Sequence, residues 1–209
     1  MADISIIEKY FPNLSDVQKS QFAALDALYQ DWNSKINVIS RKDMDNFYEH
    51  HVLHSLGIAK FTDFADGTEI LDLGTGGGFP AIPLAIIFPN VTFHAIDGVG
   101  KKIKVLNAVA ESIGLMNIKG EHLRAEDVKA KYDYVVSRAV MQMPDLMKLA
   151  RPLLKPVASS ALPVGVIALK GGDLTEELKP LGRNAMSESL TNYFDEEFFS
   201  TKSVVYVMK

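Results

Sequence analysis

The sequence predicts an α/β fold: a doubly wound, mostly parallel sheet with helices on both faces, an antiparallel C-terminal edge strand and an N-terminal helical extension. Three observations carry this reading. From Thr68 onward, short apolar runs alternate with amphipathic segments, the pattern of strands joined by crossover helices. A glycine cluster lies between the first apolar run and the helical segment after it, where such sheets bind ligands. The last two apolar runs lack a clear intervening helix, so they close the sheet as an antiparallel hairpin.

The elements follow in order. Residues 1–62 read as helical and residues 63–209 as the sheet domain. Ser15 is an N-cap with Gln18 three residues on, a capping box. Val17, Phe22, Leu25, Leu28, Tyr29, Trp32 and Ile36 then recur at helical spacing as one apolar stripe, with Trp32 as a core anchor. A second helix over Asp43–Lys60 carries Phe47, Val52, Leu56 and Ile58. Strands are expected over 69–73, 91–97, 117–120, 132–137 and 161–170, with a closing strand over 203–208 and its partner near 187–194. Helices are expected over 82–88, stopped by Pro89, over 101–113 with Gly114 as C-cap, and over 144–154.

Composition bounds the function. The chain has 209 residues, a net charge of −4, 47% hydrophobic and 23% charged residues, and no cysteine. A chain of this size buries about 70% of its unfolded surface and needs no staple. Without cysteine there is no disulfide framework, thiol nucleophile, iron–sulfur cluster or thiolate zinc site, which fits a reducing, cytoplasmic setting. The first residues lack the pattern of a secretory signal, and no run of 18 apolar residues occurs. His50, His51 and His54 make no convincing metal site, since a pair at i, i+4 needs a further ligand and H-E-x-x-H is absent.

The chemistry concentrates in Asp72-Leu73-Gly74-Thr75-Gly76-Gly77-Gly78-Phe79-Pro80. Glycine at 74, 76 and 78 lets the backbone turn sharply and approach a ligand that a Cβ would obstruct. The dinucleotide fingerprint requires glycine at position 79, where Phe79 stands, so the loop suits a cofactor without phosphates. Asp97 closes the next strand, placed to accept hydrogen bonds from both hydroxyls of a ribose.

The loop and the acidic strand end resemble the class I S-adenosylmethionine-dependent methyltransferases, of Rossmann-like fold. The stretch Leu71–Ala85, LDLGTGGGFPAIPLA, is further similar to the signature of the bacterial 16S rRNA 7-methylguanosine methyltransferases, the RsmG (GidB) family. Trp32-Asn33, Asn37–Arg41, Glu49–Leu56, Ser137-Arg138-Ala139 and Ala168–Gly171 resemble further segments of that family, so the similarity runs from about Trp32 to Gly171. Three positions depart from it: Ala81 where glycine is frequent, Gly98 where serine is common and His54 where aspartate is usual.

The resemblance implies particular roles. Gly74, Gly76, Gly78 and Phe79 would line S-adenosylmethionine, Ala125 and Glu126 would sit beside its adenine, and Arg138 would be the catalytic residue and a further cofactor contact, at the mouth of the site near the target base. The target would be a guanine N7 in 16S ribosomal RNA, naked or in the small subunit, acted on by a monomer with no metal and no membrane. What the sequence lacks agrees with N7. The [D/N]-P-P-[Y/F/W] segment of exocyclic amine methylation is replaced by Ser137-Arg138-Ala139-Val140, and there is no cysteine for pyrimidine C5 chemistry. A guanine N7 lone pair needs no general base, only alignment and exclusion of water. Phosphate contacts would come from Lys35, Arg41, Lys42, Lys101, Lys102, Lys104 and Lys170. Two other readings share the motifs: a small-molecule methyltransferase with the N-terminal helices as a lid, and a ribosome-assembly factor that binds the cofactor without turnover.

Overall fold

The computed structural model describes residues 4–138, 140–157 and 162–209, with the side chains of Arg41 and Lys42 also outside the description. A short helix α1, Ser5–Tyr10, precedes α2, Asp16–Lys35. The capping box is in place: the Gln18 N–H donates to Ser15 Oγ at 3.3 Å, and the Ser15 N–H donates to Gln18 Oε1 at 2.9 Å. Gln18 does a second job, because its Nε2 donates to the Ile86 carbonyl at 2.8 Å and so ties α2 to the end of a core helix.

The expected second helix, 43–60, is three helices of different pitch. A 3-10 segment, Arg41–Asn46, leads into a π-helical segment, Tyr48–Leu53, and then into α3, His54–Phe61. A π turn within a helix is rare and recurs at functional sites. It places His50 and His51 beside the sheet, as described below.

The sheet domain alternates as predicted. Strand β1, Glu69–Leu73, is followed by α4, Ala81–Ile87, then β2, Thr92–Asp97, α5, Gly100–Ser112, and β3, Ile118–His122. Next come β4, Tyr134–Arg138, α6, Met143–Ala150, β5, Gly165–Gly171, the one-turn α7, Thr175–Leu178, β6, Ala185–Ser189, and β7, Lys202–Met208. The fifth strand begins at Gly165 rather than at 161, a position outside the described residues. The strand order is β3-β2-β1-β4-β5-β7-β6, with β7 antiparallel to both neighbours. The antiparallel edge is thus a strand pair in which β7 slots between β5 and an outermost β6.

The central strands are buried on both faces, and alternate residues feed two cores. Ile70, Tyr134, Val136 and Ile167 join Phe22, Leu25, Tyr29, Leu56, Leu84 and Val105 on one side, so α2 to α5 share a core with the sheet. Leu71, Leu73, Val135 and Val166 face Met143, Leu146, Met147 and Ala150 of α6 on the other. Val17, expected in the apolar stripe, is 66% exposed because it lies in the first turn of α2, at the rim of that packing. Trp32 is half-buried against the same core.

Candidate functional site

Every parallel strand of the sheet ends on one edge, and the chain's chemistry gathers there. The turn between β1 and α4 is organised by Asp72. Thr75 Oγ1 donates to Asp72 Oδ2 at 2.6 Å, and the Ala81 N–H donates to the same oxygen at 3.1 Å, so one carboxylate staples the start of the loop to the start of the helix. Asp72 is fully buried. Burial pushes its carboxyl up to about 7, against the opposing pull of Thr75, Ala81 and the Arg138 charge. Its other oxygen, Oδ1, has no hydrogen-bond partner among the described residues.

Gly74, Gly76 and Gly78 have φ of 75°, 59° and 113°, a region L side chains rarely adopt. The three glycines differ in what surrounds them. A Cβ on Gly74 would sit 2.5 Å from Val140 Cγ2 and one on Gly78 2.7 Å from Ile82 Cδ1, whereas one on Gly76 would meet nothing within 4 Å. Gly74 and Gly78 are therefore fixed by packing, and Gly76 borders open space that a side chain would fill.

Asp97 holds that same position from the other side. Its Oδ2 accepts from the Gly76 N–H at 2.9 Å and its Oδ1 from the Val99 N–H at 2.8 Å. Each oxygen keeps a second lone pair, enough for a diol. The N–H groups of Gly74 and Thr75 both donate to the Ile96 carbonyl at 3.0 Å, so the glycine loop and the end of β2 form one unit. Ala125 and Glu126 form a single 3-10 turn after β3, Ala125 half-buried and Glu126 exposed. They border a cavity of about 420 Å³ shared with Lys129, Lys131 and Lys148.

Phe79 is only 4% exposed. Its ring supports the loop from behind, 4.9 Å from the Tyr29 ring and 6.0 Å from Phe47, centroid to centroid. Arg138, at the end of β4, faces the same ring at 5.0 Å. Nη1 donates to the His50 carbonyl at 3.3 Å and Nη2 to His51 Nδ1 at 3.1 Å. The guanidinium therefore joins the π-helical segment to the sheet, an internal position rather than a surface ion pair. Burial pushes it down to about 10, so it remains a cation at neutral pH. As Nδ1 of His51 accepts, its ring is neutral with the proton on Nε2, and burial followed by the Arg138 charge lowers it to about 4.

Among the basic residues read as phosphate contacts, Lys101 and Lys104 are exposed and Lys102 half-buried, all at the start of α5. Lys35 is paired with Asp31 at 2.7 Å. Lys170 is withdrawn from solvent, ion-paired to Glu177 at 2.6 Å and donating to the Met141 carbonyl at 2.6 Å, so it is unavailable to a phosphate backbone. Sequence reasoning missed Tyr29, Glu177 and the joint between Arg138 and His51. Tyr29 could be read only as core, since its hydroxyl contact spans 48 residues of sequence.

A family model described as rRNA small subunit methyltransferase G, GidB, matches residues 18–203. The chain belongs to this family. Ribosomal RNA small subunit methyltransferase G of Phocaeicola vulgatus is 59% identical over 204 residues, covering 98% of each chain. The protein of the same name from Porphyromonas gingivalis is 55% identical, covering 99% of this chain and 94% of its own. Among solved structures, a SAM-dependent methyltransferase from Aquifex aeolicus superposes with a TM-score of 0.57 at 13% identity, covering 81% of this chain and 98% of its own. A precorrin-6y C5,15-methyltransferase from Geobacter metallireducens gives 0.55 at 12%, over 83% and 92%. These likenesses show the class I methyltransferase fold. Among the described residues, no helix is long and apolar enough to cross a membrane, and no group of three or more His, Asp or Glu could hold a metal ion.

Proposed function

We propose that this member of the GidB family methylates N7 of a guanine in 16S ribosomal RNA, using S-adenosylmethionine. The observation that carries the cofactor assignment is the junction of Gly76 and Asp97: a glycine facing open space, hydrogen-bonded to a strand-end carboxylate with lone pairs to spare. The fit is steric as well as chemical, because the loop leaves open space at Gly76 for close backbone approach while Phe79 packs behind it in the core. The cofactor supplies an electrophilic methyl: the N7 lone pair forms the new C–N bond as the C–S bond breaks onto sulfur, leaving a cationic ring and no proton to remove.

The protein's own residues then position and insulate. Asp97 and the Gly74–Gly78 backbone fix the nucleoside and methionine portions, and Ala125 and Glu126 border the adenine. Arg138 lies between the loop and the π-helical segment, and in this reading its charge acts on the cofactor and the base. Held as a half-buried cation, it sets the local field without giving up a proton. Lys101, Lys102 and Lys104 offer phosphate contacts in a chain that is acidic overall, so binding to RNA weakens as salt rises.

The test is transfer of labelled methyl from S-adenosylmethionine to small ribosomal subunits from cells lacking the gene, followed by nucleoside identification. Label in 7-methylguanosine of 16S RNA is the expected result. Cofactor binding without label in subunits or naked RNA would instead favour a small-molecule substrate or a binding role.

A further inference from the structure

A cavity of about 620 Å³ opens at the C-terminal ends of β4 and β5, lined in part by His54, Val140, Gln142, Leu169, Lys170 and Glu177. It adjoins the glycine loop, because Val140 is the residue a Cβ on Gly74 would strike. One charged group in its wall is unusual. The Glu177 side chain, on α7, is only 10% exposed. Its Oε1 accepts from the Met143 N–H at 2.7 Å and pairs with Lys170 Nζ at 2.6 Å. The hydrogen bonds among the described residues engage Oε1, and Oε2 is not among the buried atoms without a partner, so it remains accessible. Lys170 in turn donates to the Met141 carbonyl, so the loop after β4, the end of β5 and α7 are tied together at this carboxylate.

A carboxylate withdrawn from water is costly unless it is paired, and it has acceptor sites on both oxygens. Here one oxygen is fully employed and fixes the orientation of the group, while the other is left to the cavity. We propose that Glu177 reads the target base, its free oxygen accepting from the N1–H and 2-amino edge of guanine. The assignment rests on the guanine-N7 reading above.

The chemistry of the bases makes this a discriminating contact. Guanine presents donors at N1 and N2, whereas adenine presents an acceptor at N1, which would face a carboxylate in repulsion. A base that covers this oxygen without offering it a donor strips its water at a cost, so the site rejects bases lacking that edge. The contact also strengthens during reaction. Methylation leaves the purine cationic, and a fixed carboxylate on the opposite edge interacts better with that ring than with the neutral one. The edge must be unpaired to be read, which fits a base presented from a loop or flipped out of a helix.

The test compares the wild type and Glu177→Gln on small subunits reconstituted with guanosine or inosine at the methylated position. Inosine keeps N7, O6 and N1–H but lacks the 2-amino group. Wild type is expected to lose about 10-fold in kcat/KM on inosine, and Glu177→Gln to lose about 10- to 100-fold on guanosine while treating both bases nearly alike. Unchanged cofactor affinity, measured by calorimetry, separates base reading from a collapsed site. The same guanosine-to-inosine ratio in both proteins would overturn the proposal. Should the Gln variant fail to fold, Glu177→Asp keeps the charge and shortens the reach, and its ratio must also fall. Absence of 7-methylguanosine with wild type on guanosine would overturn the underlying reading, and this proposal with it.

Discussion

The Tyr29 hydroxyl donates to the Gly77 carbonyl at 2.7 Å, a buried bond from the N-terminal helix to the glycine loop. The segment outside the sheet therefore shapes the loop from behind, and the Tyr29 ring packs on Phe79 at 4.9 Å in the same contact. Burial raises the Tyr29 hydroxyl well above the usual tyrosine range, so it stays a donor at every accessible pH. Tyr29→Phe keeps the ring and orphans a buried carbonyl, at about 1–3 kcal/mol. Urea unfolding is expected to show that loss, together with weaker S-adenosylmethionine binding. Full stability with full affinity would mean the loop holds its shape without α2.

Gly76 has a counterpart elsewhere in the fold. Gly67, in the turn before β1, has φ of 79° against 59° for Gly76, and a Cβ on either meets nothing within 4 Å. Valine at either site strains the backbone by about 1–3 kcal/mol. Gly76→Val is expected to abolish cofactor binding, because its side chain fills the ligand's place, while Gly67→Val should bind normally at similar thermal stability. Equal affinity in the two variants would move the cofactor away from Gly76.

Much of this site could be read from the sequence. The Asp72–Pro80 loop, the acidic end of β2 and the capping box at Ser15 and Gln18 are local patterns, and each depends on residues close in the chain. What escaped was long-range or off-period. The π-helical Tyr48–Leu53 shares its apolar spacing with an ordinary helix over so few residues that periodicity cannot separate the two. The α7 helix has four residues and no signal of its own, yet it delivers Glu177 to the end of β5. Lys170 was legible as a charge but not as a buried one, because its partner lies on the following helix.

Arg138 touches the π-helical segment through two carbonyl or ring acceptors and the loop through Phe79. An ammonium preserves the charge but cannot span both acceptors or stack flat on the ring. Arg138→Lys is expected to lower stability by about 1–3 kcal/mol and methylation by a larger factor than that loss accounts for. Arg138→Met removes the charge as well. His51, now held at about 4 by burial and by that cation, should then titrate at higher pH in NMR. An unmoved His51 would mean the guanidinium does not set the field at this end of the sheet.

Asp72 and His51 drive stability in opposite directions with pH. The unfolded chain protonates His51 below its ordinary 6.5, whereas the folded protein refuses the proton until about 4, so stability falls as pH drops through that window. For Asp72 the folded pKa lies near 7 and the ordinary value at 3.8, so the folded state holds the extra proton between them. Its contribution is therefore present at acid pH, falls as pH rises from 3.8 to about 7, and is gone above that. Asp72→Asn keeps an acceptor for Thr75 and Ala81 while removing the titration. Relative to wild type, the variant is expected to gain on the order of 2 kcal/mol in urea unfolding between pH 5 and pH 8. A constant difference across that range would place the Asp72 proton in solvent, and would leave the Arg138 charge, rather than burial, as the dominant influence on the loop.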